Sequence, residues 1–385
     1  MDFELTPEEK EYQQELREFL EKEVNPGVVA ETESLKGLGP HGKELIRKMG
    51  ERQLLAPSWP EIYGGRSLSH IAEGIMFEEM GYFQGPWPLD GLVIGHTLMR
   101  FGSEAQKDKY LTGIARGEIE FGLGYTEPEA GSDLASVQIR AVNKGDEYII
   151  NGQKTFNTET HYADYHWLLS RTDPEVPKHK GLSIFIVDVK SPGITVSPLY
   201  TSSGLRTNEV FYEDVHVPKD NLLGEENHGW EYAGSAIGFE RILWIGDLKH
   251  RFDQLVDFLR DDDRYQNIVN EKPWILDELA EIKTQIHTAA LLSYKAAAVY
   301  DEGTQLVYES SLSKLYASEL RQHMFNIFMQ ILGHYGELTT DSKWSPLNGW
   351  VSQEYVDSCR WTIIGGSSEI QRYIMALRGL RLPRK

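Results

Sequence analysis

Apolar positions recur at helical spacing in the first part of the chain, at strand spacing in the middle, and at helical spacing again towards the C-terminus. Thr6-Pro7-Glu8-Glu9 predicts a helix start, with Thr6 as N-cap, Pro7 at the first helical position and Glu9 closing a capping box. Tyr12, Leu16, Phe19 and Leu20 follow on one face. Residues 41–55, 68–83, 92–101 and 104–116 predict further helices, with a turn at 59–65. Near Glu118 the period changes, and Val137, Ile139 and Ala141 alternate with polar residues. Gly145-Asp146 reads as a turn. Strands at 148–150 and 154–158 flank Asn151-Gly152, which predicts a hairpin. Residues 166–170, 182–189 and 209–217 continue the β pattern. One long helix is then expected from Trp230 to about residue 260, and others at 273–302, 306–333, 351–363 and 368–379, with an irregular connection at 341–350. The charge run at 261–264 reads as a solvated helix end. The expected fold class is α+β: an N-terminal helical domain (1–118), a middle β-barrel-like domain (119–228) and a C-terminal helical bundle (229–385). A cofactor is expected in the crevice between the β domain and the helices.

Composition changes this picture only in its choice of partners. The 385 residues suffice for two or three layers with real cores. The charge of −20, from 59 acidic against 39 basic residues, repels nucleic acid and anionic membranes at long range. It repels a polyphosphate too, so any such site must be locally basic. The single cysteine, Cys359, excludes an intrachain disulfide and a cysteine zinc site. The 12 histidines show no metal-ligand spacing, so no metal is expected. The N-terminus lacks the apolar core of a signal peptide, and no apolar run is long enough to span a bilayer. A cytoplasmic protein is the simplest expectation.

Gly37 to Gly42 fits G-x-G-x-x-G, but nothing before it reads as a strand and Pro40 sits where the helix should begin, so a loop is expected. The stretch GYTEPEAGSDLAS at 124–136 reads as a rigid loop. Pro128 fixes one φ, Gly131 permits conformations other residues avoid, and Ser132 and Asp133 can bond nearby amides. Thr126, Ser132 and the N–H groups between them could cradle a phosphate or a flavin edge. On composition alone such a loop is usually a plain turn.

TEPEAGSD at 126–133, NGQKTFNT at 151–158 and GGSSEIQR at 365–372 together resemble the acyl-CoA dehydrogenase family, in the family's order. The resemblance covers nearly the whole chain and is weakest over 245–330. The stretches at 124–136 and 171–188 and the LRLPR ending at 380–384 resemble bacterial members that handle bulky or cyclic acyl-CoAs, including steroid side chains. The resemblance implies FAD as cofactor, an acyl-CoA substrate and an electron-transfer flavoprotein as electron acceptor. It implies that Leu123, Tyr125 and Thr126 line the isoalloxazine, with Thr126 bonding the ring edge. Phe156 and Thr158 match the second flavin motif, although composition alone favours each as a strand residue packing in a sheet. Ser132 would meet the CoA pyrophosphate arm. Arg241 would lie near the CoA, its alternative being a surface helix charge. Ser367 of the C-terminal motif is grouped with the cofactor-binding residues.

The family removes a proton from the acyl Cα and passes a hydride from Cβ to the flavin. In much of the family the base is a Glu where this chain has Gly365, whose backbone N–H could still bind the thioester oxygen. A minority places the base on the helix after the β domain, in a Glu-Arg pair, matched here by Glu240-Arg241. Glu240 shares its helical side with Ala236, Ile237, Leu243 and Trp244. Its alternatives are a carboxylate snorkelling to the helix edge or paired with a lysine. Glu369 is the nearest rival and matches a position the family does not use as base. Trp244 either shortens the substrate pocket or packs between helices.

The family usually shares FAD between subunits, so a homotetramer or homodimer is implied. Of the neighbour's two FAD segments, Gln330 and Gly333 survive in one, with His334 replacing its second glycine, and Arg264 is the remnant of the other, whose Phe-Gly is absent. That loss suits a heterotetramer with a related subunit. Three functions are therefore carried forward: an acyl-CoA dehydrogenase acting on a branched or cyclic acyl group, a non-catalytic or half-site subunit of a hetero-oligomer, and a flavin oxidase on the same fold.

Overall fold

The computed structural model describes residues 4–34, 37–87, 89–241, 245–302 and 307–383, and of residues 89, 239 and 240 only the backbone. The chain divides into two compact units, each assembled from separated segments. One comprises Met1–Lys22, Ser69–Gly85 and Arg241–Lys385; the other comprises Glu23–Leu68 and Pro86–Glu240.

The second unit holds one seven-stranded sheet: β1 (Phe121–Gly124), β2 (Arg140–Asn143), β3 (Glu147–Lys154), β4 (Tyr165–Arg171), β5 (Leu182–Asp188), β6 (Ile194–Tyr200) and β7 (Arg206–Pro218). The order is β1-β4-β2-β3-β7-β6, with β5 also paired to β4. β1 runs parallel to β4, and β5 antiparallel to it. Alternating residues supply the core: Ile139, Ala141, Tyr148, Ile150, Phe185, Val210, Val215 and Val217 are all at most 2 % exposed. Helices α2 (Pro26–Glu33), α3 (Pro40–Glu51), α5 (Leu89–Phe101), α6 (Glu104–Ala115) and α7 (Gly229–Glu240) belong to the same unit. Gly229 starts α7 against β5, where a Cβ would lie 2.7 Å from the Ser183 Cα.

The expected hairpin at Asn151-Gly152 does not form. β3 runs straight through it, and the register against β7 shifts between Ile150 and Gly152, so the pair is a bulge. Gly152 has φ +147, and a Cβ there would sit 2.8 Å from Ile139. Asn151 exchanges two hydrogen bonds with Asp214 on β7. The true hairpin is β2–β3, turned at Gly145, where Lys144 N donates to Glu147 O at 2.8 Å. Asn-Gly supplies the backbone freedom either feature needs, so local sequence does not separate them.

The first unit is helical: α1 (Pro7–Glu23), α4 (His70–Tyr82), α8 (Gly246–Asp261), α9 (Asp263–Glu271), α10 (Trp274–Asp301), α11 (Glu309–Leu332), α12 (Trp350–Trp361) and α13 (Ser368–Ile374). The Thr6 capping box forms as expected, with Thr6 N donating to Glu9 Oε2 at 2.8 Å and Glu9 N to Thr6 Oγ1 at 3.2 Å. The single long helix expected from Trp230 is two, α7 and α8. Gly246 starts α8 in close contact with α4, where a Cβ would lie 1.9 Å from the Glu78 carbonyl oxygen. Periodicity reads a continuous face across such a break and cannot see it. The charge run spans the junction of α8 and α9, where Asp262 caps α9 by accepting from Arg264 N and Tyr265 N. The expected loop at 37–42 covers only the connection, since Gly39 caps α3 and Pro40 begins it. No strand precedes it among the described residues; α2 does.

Arg321 of α11 is 2 % exposed and bridges Asp247 of α8 to Glu354 of α12, the latter at 3.1 Å. Its guanidinium also lies 4.3 Å from the Trp361 ring centroid. Truncation leaves the Asp247 and Glu354 carboxylates without the cation between them, Arg251 remaining 4.0 Å from Glu354. Arg321→Ala should therefore cost about 3 kcal/mol of stability, read as a lower denaturant midpoint at unchanged helix content.

Candidate functional site

The loop that follows β1 is tied to β3 by a buried ion pair. Lys154, the last residue of β3, is fully buried, and its Nζ donates to Tyr125 O at 2.8 Å and to Glu127 Oε1 at 3.0 Å. The Glu127 carboxylate also accepts from Gln138 N at 2.6 Å and Ile139 N at 3.0 Å. Burial, opposed by Glu127, lowers the Lys154 ammonium to about 8. Thr126 O accepts from Thr155 N at 2.9 Å, which brings the first and second motifs together. Tyr125 is buried and its Oη accepts from Trp167 Nε1 at 3.1 Å, while Leu123 and Thr126 are half-buried.

Beyond Ala130 the loop departs from expectation. Gly131 has no left-handed φ, and a Cβ added to it meets nothing within 4 Å. Asp133 turns to Lys178 rather than to a nearby amide, and Ser132 is exposed. Arg171 holds this loop from beneath, donating to Ala135 O at 2.6 Å, Val137 O at 3.2 Å and Lys178 O at 2.5 Å.

Phe156 has φ +57 and is 60 % exposed, yet Thr155 and Asn157 on either side are buried. A bulky residue in the left-handed region is strained and persists only where its surroundings enforce it. Asn208 enforces it, its O accepting from Asn157 N at 3.0 Å and its Nδ2 donating to Asn157 O at 2.7 Å. Thr158 is exposed beside it. Phe156 and Thr158 are therefore loop residues, not strand residues packing in the sheet. Beneath β1, His166 lies so close to Gly124 that a Cβ there would sit 2.7 Å from the ring. Its Nδ1 meets Tyr212 Oη, and burial pushes the imidazole down to about 3.

The C-terminal motif forms a turn in which Gly365 (φ +61) and Gly366 (φ +93) are both left-handed. Gly365 O accepts from Arg241 Nε at 2.9 Å and Gln371 Nε2 at 3.0 Å. Gly366 O accepts from Lys314 Nζ at 2.9 Å and Gln371 Nε2 at 2.8 Å. Lys314 and Gln371 are fully buried. Arg241 is thus tied to the turn and is not a solvated helix charge. Ser367 caps α13 through Ile370 N. Glu369 is exposed, and its carboxyl is held low by backbone and Ser367 hydrogen bonds.

Arg264 stacks over Tyr335, 4.6 Å from its ring centroid, so two of the predicted FAD segments meet within one chain. Gly333 ends α11 with φ +58, and Gln330 is exposed. Trp244 and the side chain of Glu240 lie outside the described residues. Lys154, Glu127, Arg171, Asn208, Lys314 and Gln371 were not singled out in the sequence. The available signal was one opposite charge in each flavin motif, Glu127 and Lys154.

Between about pH 8 and pH 10.5 the folded chain holds fewer protons at Lys154 than the unfolded chain. Stability should rise with pH in that window by a component that Lys154→Met removes, measured by denaturant titration of both proteins.

Three family descriptions match along the chain: "Acyl-CoA dehydrogenase, N-terminal domain" over residues 6–118, the "middle domain" over 122–215 and the "C-terminal domain" over 227–380. The acyl-CoA dehydrogenase FadE29 of Mycobacterium tuberculosis is 35% identical over 390 residues, covering 100% of this chain and 99% of that protein. The solved Tcur3481-Tcur3483 steroid ACAD superposes with a TM-score of 0.91 at 33% identity, with 100% of both chains covered. The ChsE4-ChsE5 complex of Mycobacterium tuberculosis gives 0.89 at 30% identity, again over 100% of both chains. Among the described residues no helix is long and apolar enough to cross a membrane. The match in all three parts, with steroid-type relatives among the similar proteins, shows that this chain belongs to the acyl-CoA dehydrogenase family of FAD-dependent oxidoreductases.

Proposed function

We propose that this chain converts an acyl-CoA thioester with a bulky, cyclic or branched acyl group into its 2,3-enoyl-CoA and passes the electrons to an electron-transfer flavoprotein. Bound FAD supplies the hydride acceptor for the Cβ hydrogen. The residues fit such a group: Phe156 is held exposed in a strained conformation, and the backbone of Thr126 is fixed beside it by Thr155. Leu123, Tyr125, Thr126, Phe156 and Thr158 line the isoalloxazine. Ser132, Arg241 and Trp244 belong to the CoA and acyl side, and Ser367 to the cofactor side.

Glu240 is the base that takes the Cα proton, leaving the electron pair in a thioester enolate. The observation that carries this assignment is the Gly365–Gly366 turn. It has no carboxylate at 365, yet Arg241, the residue after Glu240, donates to the Gly365 carbonyl at 2.9 Å. Position 240 also falls on the α7 face that carries Ala233 and Ala236, both buried.

A second composition is favoured by one feature. Arg264 is engaged with Tyr265 and Tyr335 of its own chain, and no Phe-Gly follows it. In a hetero-oligomer with a related chain, only some flavin sites would use Arg264, Gln330 and Gly333. The names of the two solved relatives above, each a pair of proteins, support that arrangement.

Glu240→Gln should keep FAD and lose turnover by about 10²–10⁴-fold, followed as bleaching of the flavin band with a panel of acyl-CoAs. Near-normal turnover would remove Glu240 from the role. The chain expressed alone should be yellow, with one FAD released per chain, if it builds its own sites. A folded but colourless chain that turns yellow only with a related subunit supports the hetero-oligomer.

A further inference from the structure

We infer that Asn208 is a positioning residue for the flavin: it holds Phe156 out of the sheet, in a strained backbone conformation, as a platform for the isoalloxazine. The inference rests on the function proposed above.

The register between β3 and β7 pairs Lys154 with Val210. Carried two residues further, it sets Phe156 opposite Asn208 and on the same face as Lys154, because side chains alternate along a strand. Lys154, Val210 and Asn208 are all fully buried, and a ring continued on that face would be buried with them. Instead the pairing slips by one residue: Asn157 N, not Phe156 N, donates to Asn208 O, at 3.0 Å. Phe156 is the residue left over. It takes φ +57 and its ring is 60 % exposed. Among the described residues it is the one aromatic with a positive φ. A left-handed backbone at a bulky residue and an exposed aromatic ring are both unfavourable within the chain itself. A ligand that stacks on the ring accounts for both.

Asn208 supplies the restraint. Its Nδ2 donates to Asn157 O at 2.7 Å and to Thr158 O at 3.3 Å, and meets His161 Nδ1 at 3.1 Å. Its Oδ1 accepts from Arg206 Nε at 3.3 Å. Turned over, the amide would set an oxygen against two carbonyls, so the network fixes its orientation. The donor stands on β7, between β3 and β6 in the sheet, and the loop is therefore held from a rigid element. On the other side of Phe156, Thr155 N donates to Thr126 O at 2.9 Å. The ring is thus fixed from both sides beside the first flavin motif. The alternative is that Asn208 only closes the loop and the pose of Phe156 has no bearing on the flavin.

The test is FAD dissociation from the flavin-loaded protein, followed by the fluorescence of released flavin. The visible circular dichroism of the bound flavin reports its surroundings. Asn208→Ala should hold FAD about tenfold more weakly and change that dichroism, with secondary structure unchanged. In a Phe156→Gly background there is no ring to hold, and glycine takes φ +57 freely. There Asn208→Ala should weaken FAD by less than about twofold more. Asn208→Ser keeps one donor, should show a smaller loss of the same kind, and serves if Asn208→Ala does not fold. Unchanged affinity and dichroism in the folded variants overturn the inference. So does an equal loss with and without the Phe156 ring, which would assign Asn208 to the fold of the loop alone. A parent protein that takes up no FAD, alone or with a related subunit, overturns the functional reading and the inference with it.

Discussion

Backbone carbonyls in irregular segments must find donors when they are buried, because no strand or helix ladder supplies them. This chain answers that constraint with cations, three of them buried and Arg241 half-buried. Lys154 donates to Tyr125 O, Arg171 to the carbonyls of Ala135, Val137 and Lys178, Arg241 to Gly365 O and Lys314 to Gly366 O. Taking an ammonium out of water is expensive without compensation. Lys154 has the Glu127 carboxylate, and even so burial brings its ammonium down to about 8. What the cost secures is geometry. Each loop is drawn into one conformation by a donor that can satisfy several oxygens at once, and the loops so fixed carry the family's motifs.

Much of the fold was legible because it rests on periodicity. The Thr6 capping box, α4 to α6 and the long helices α10 and α11 follow directly from apolar spacing and end signals. The failures share a cause. Asn151-Gly152 supplies the backbone freedom that a hairpin turn and a bulge both need, and only the partners decide: β7 across the sheet and Ile139 against the glycine. The break between α7 and α8 was hidden because the apolar face continues past it, while Gly246 answers to the closeness of α4. The helix α2 carried a readable start, Asn25 before Pro26, whose Oδ1 accepts from Gly27 N at 2.9 Å. It is short and weakly periodic, and the signal passed unused.

The site was legible only where residues sit in motifs. Thr126, Phe156 and Gly365 could be placed from their strings, but their supports could not. Lys314 occupies a helix whose buried side also carries Ser311, Ser318 and Arg321, spaced three and four apart. Small hydroxyls on that stripe leave room for a long cation to lie inward. In a linear sequence the same residues read as a polar, solvated face, because charge is the usual sign of exposure. Gln371 is similarly hidden within its own motif, where its neighbours Glu369 and Arg372 are exposed or paired at the surface.

The turn at Gly365 also bears on why the catalytic carboxylate is sought elsewhere. Two successive left-handed residues suit glycine and are uncommon for any residue with a side chain. At Gly366 a Cβ would meet Gln371 Nε2 at 2.7 Å and an Arg241 nitrogen at 3.2 Å, so the clamp itself fills the space a side chain would need. At Gly365 a glutamate would have to take φ +61, at a cost of about 1–2 kcal/mol. Restoring a carboxylate to position 365 while keeping this turn thus carries that strain. On the function proposed, the two glycines leave proton abstraction to the helix that ends at Glu240. Arg241, next in sequence, then belongs to both halves: it follows the base along the chain and holds the carbonyl of the turn.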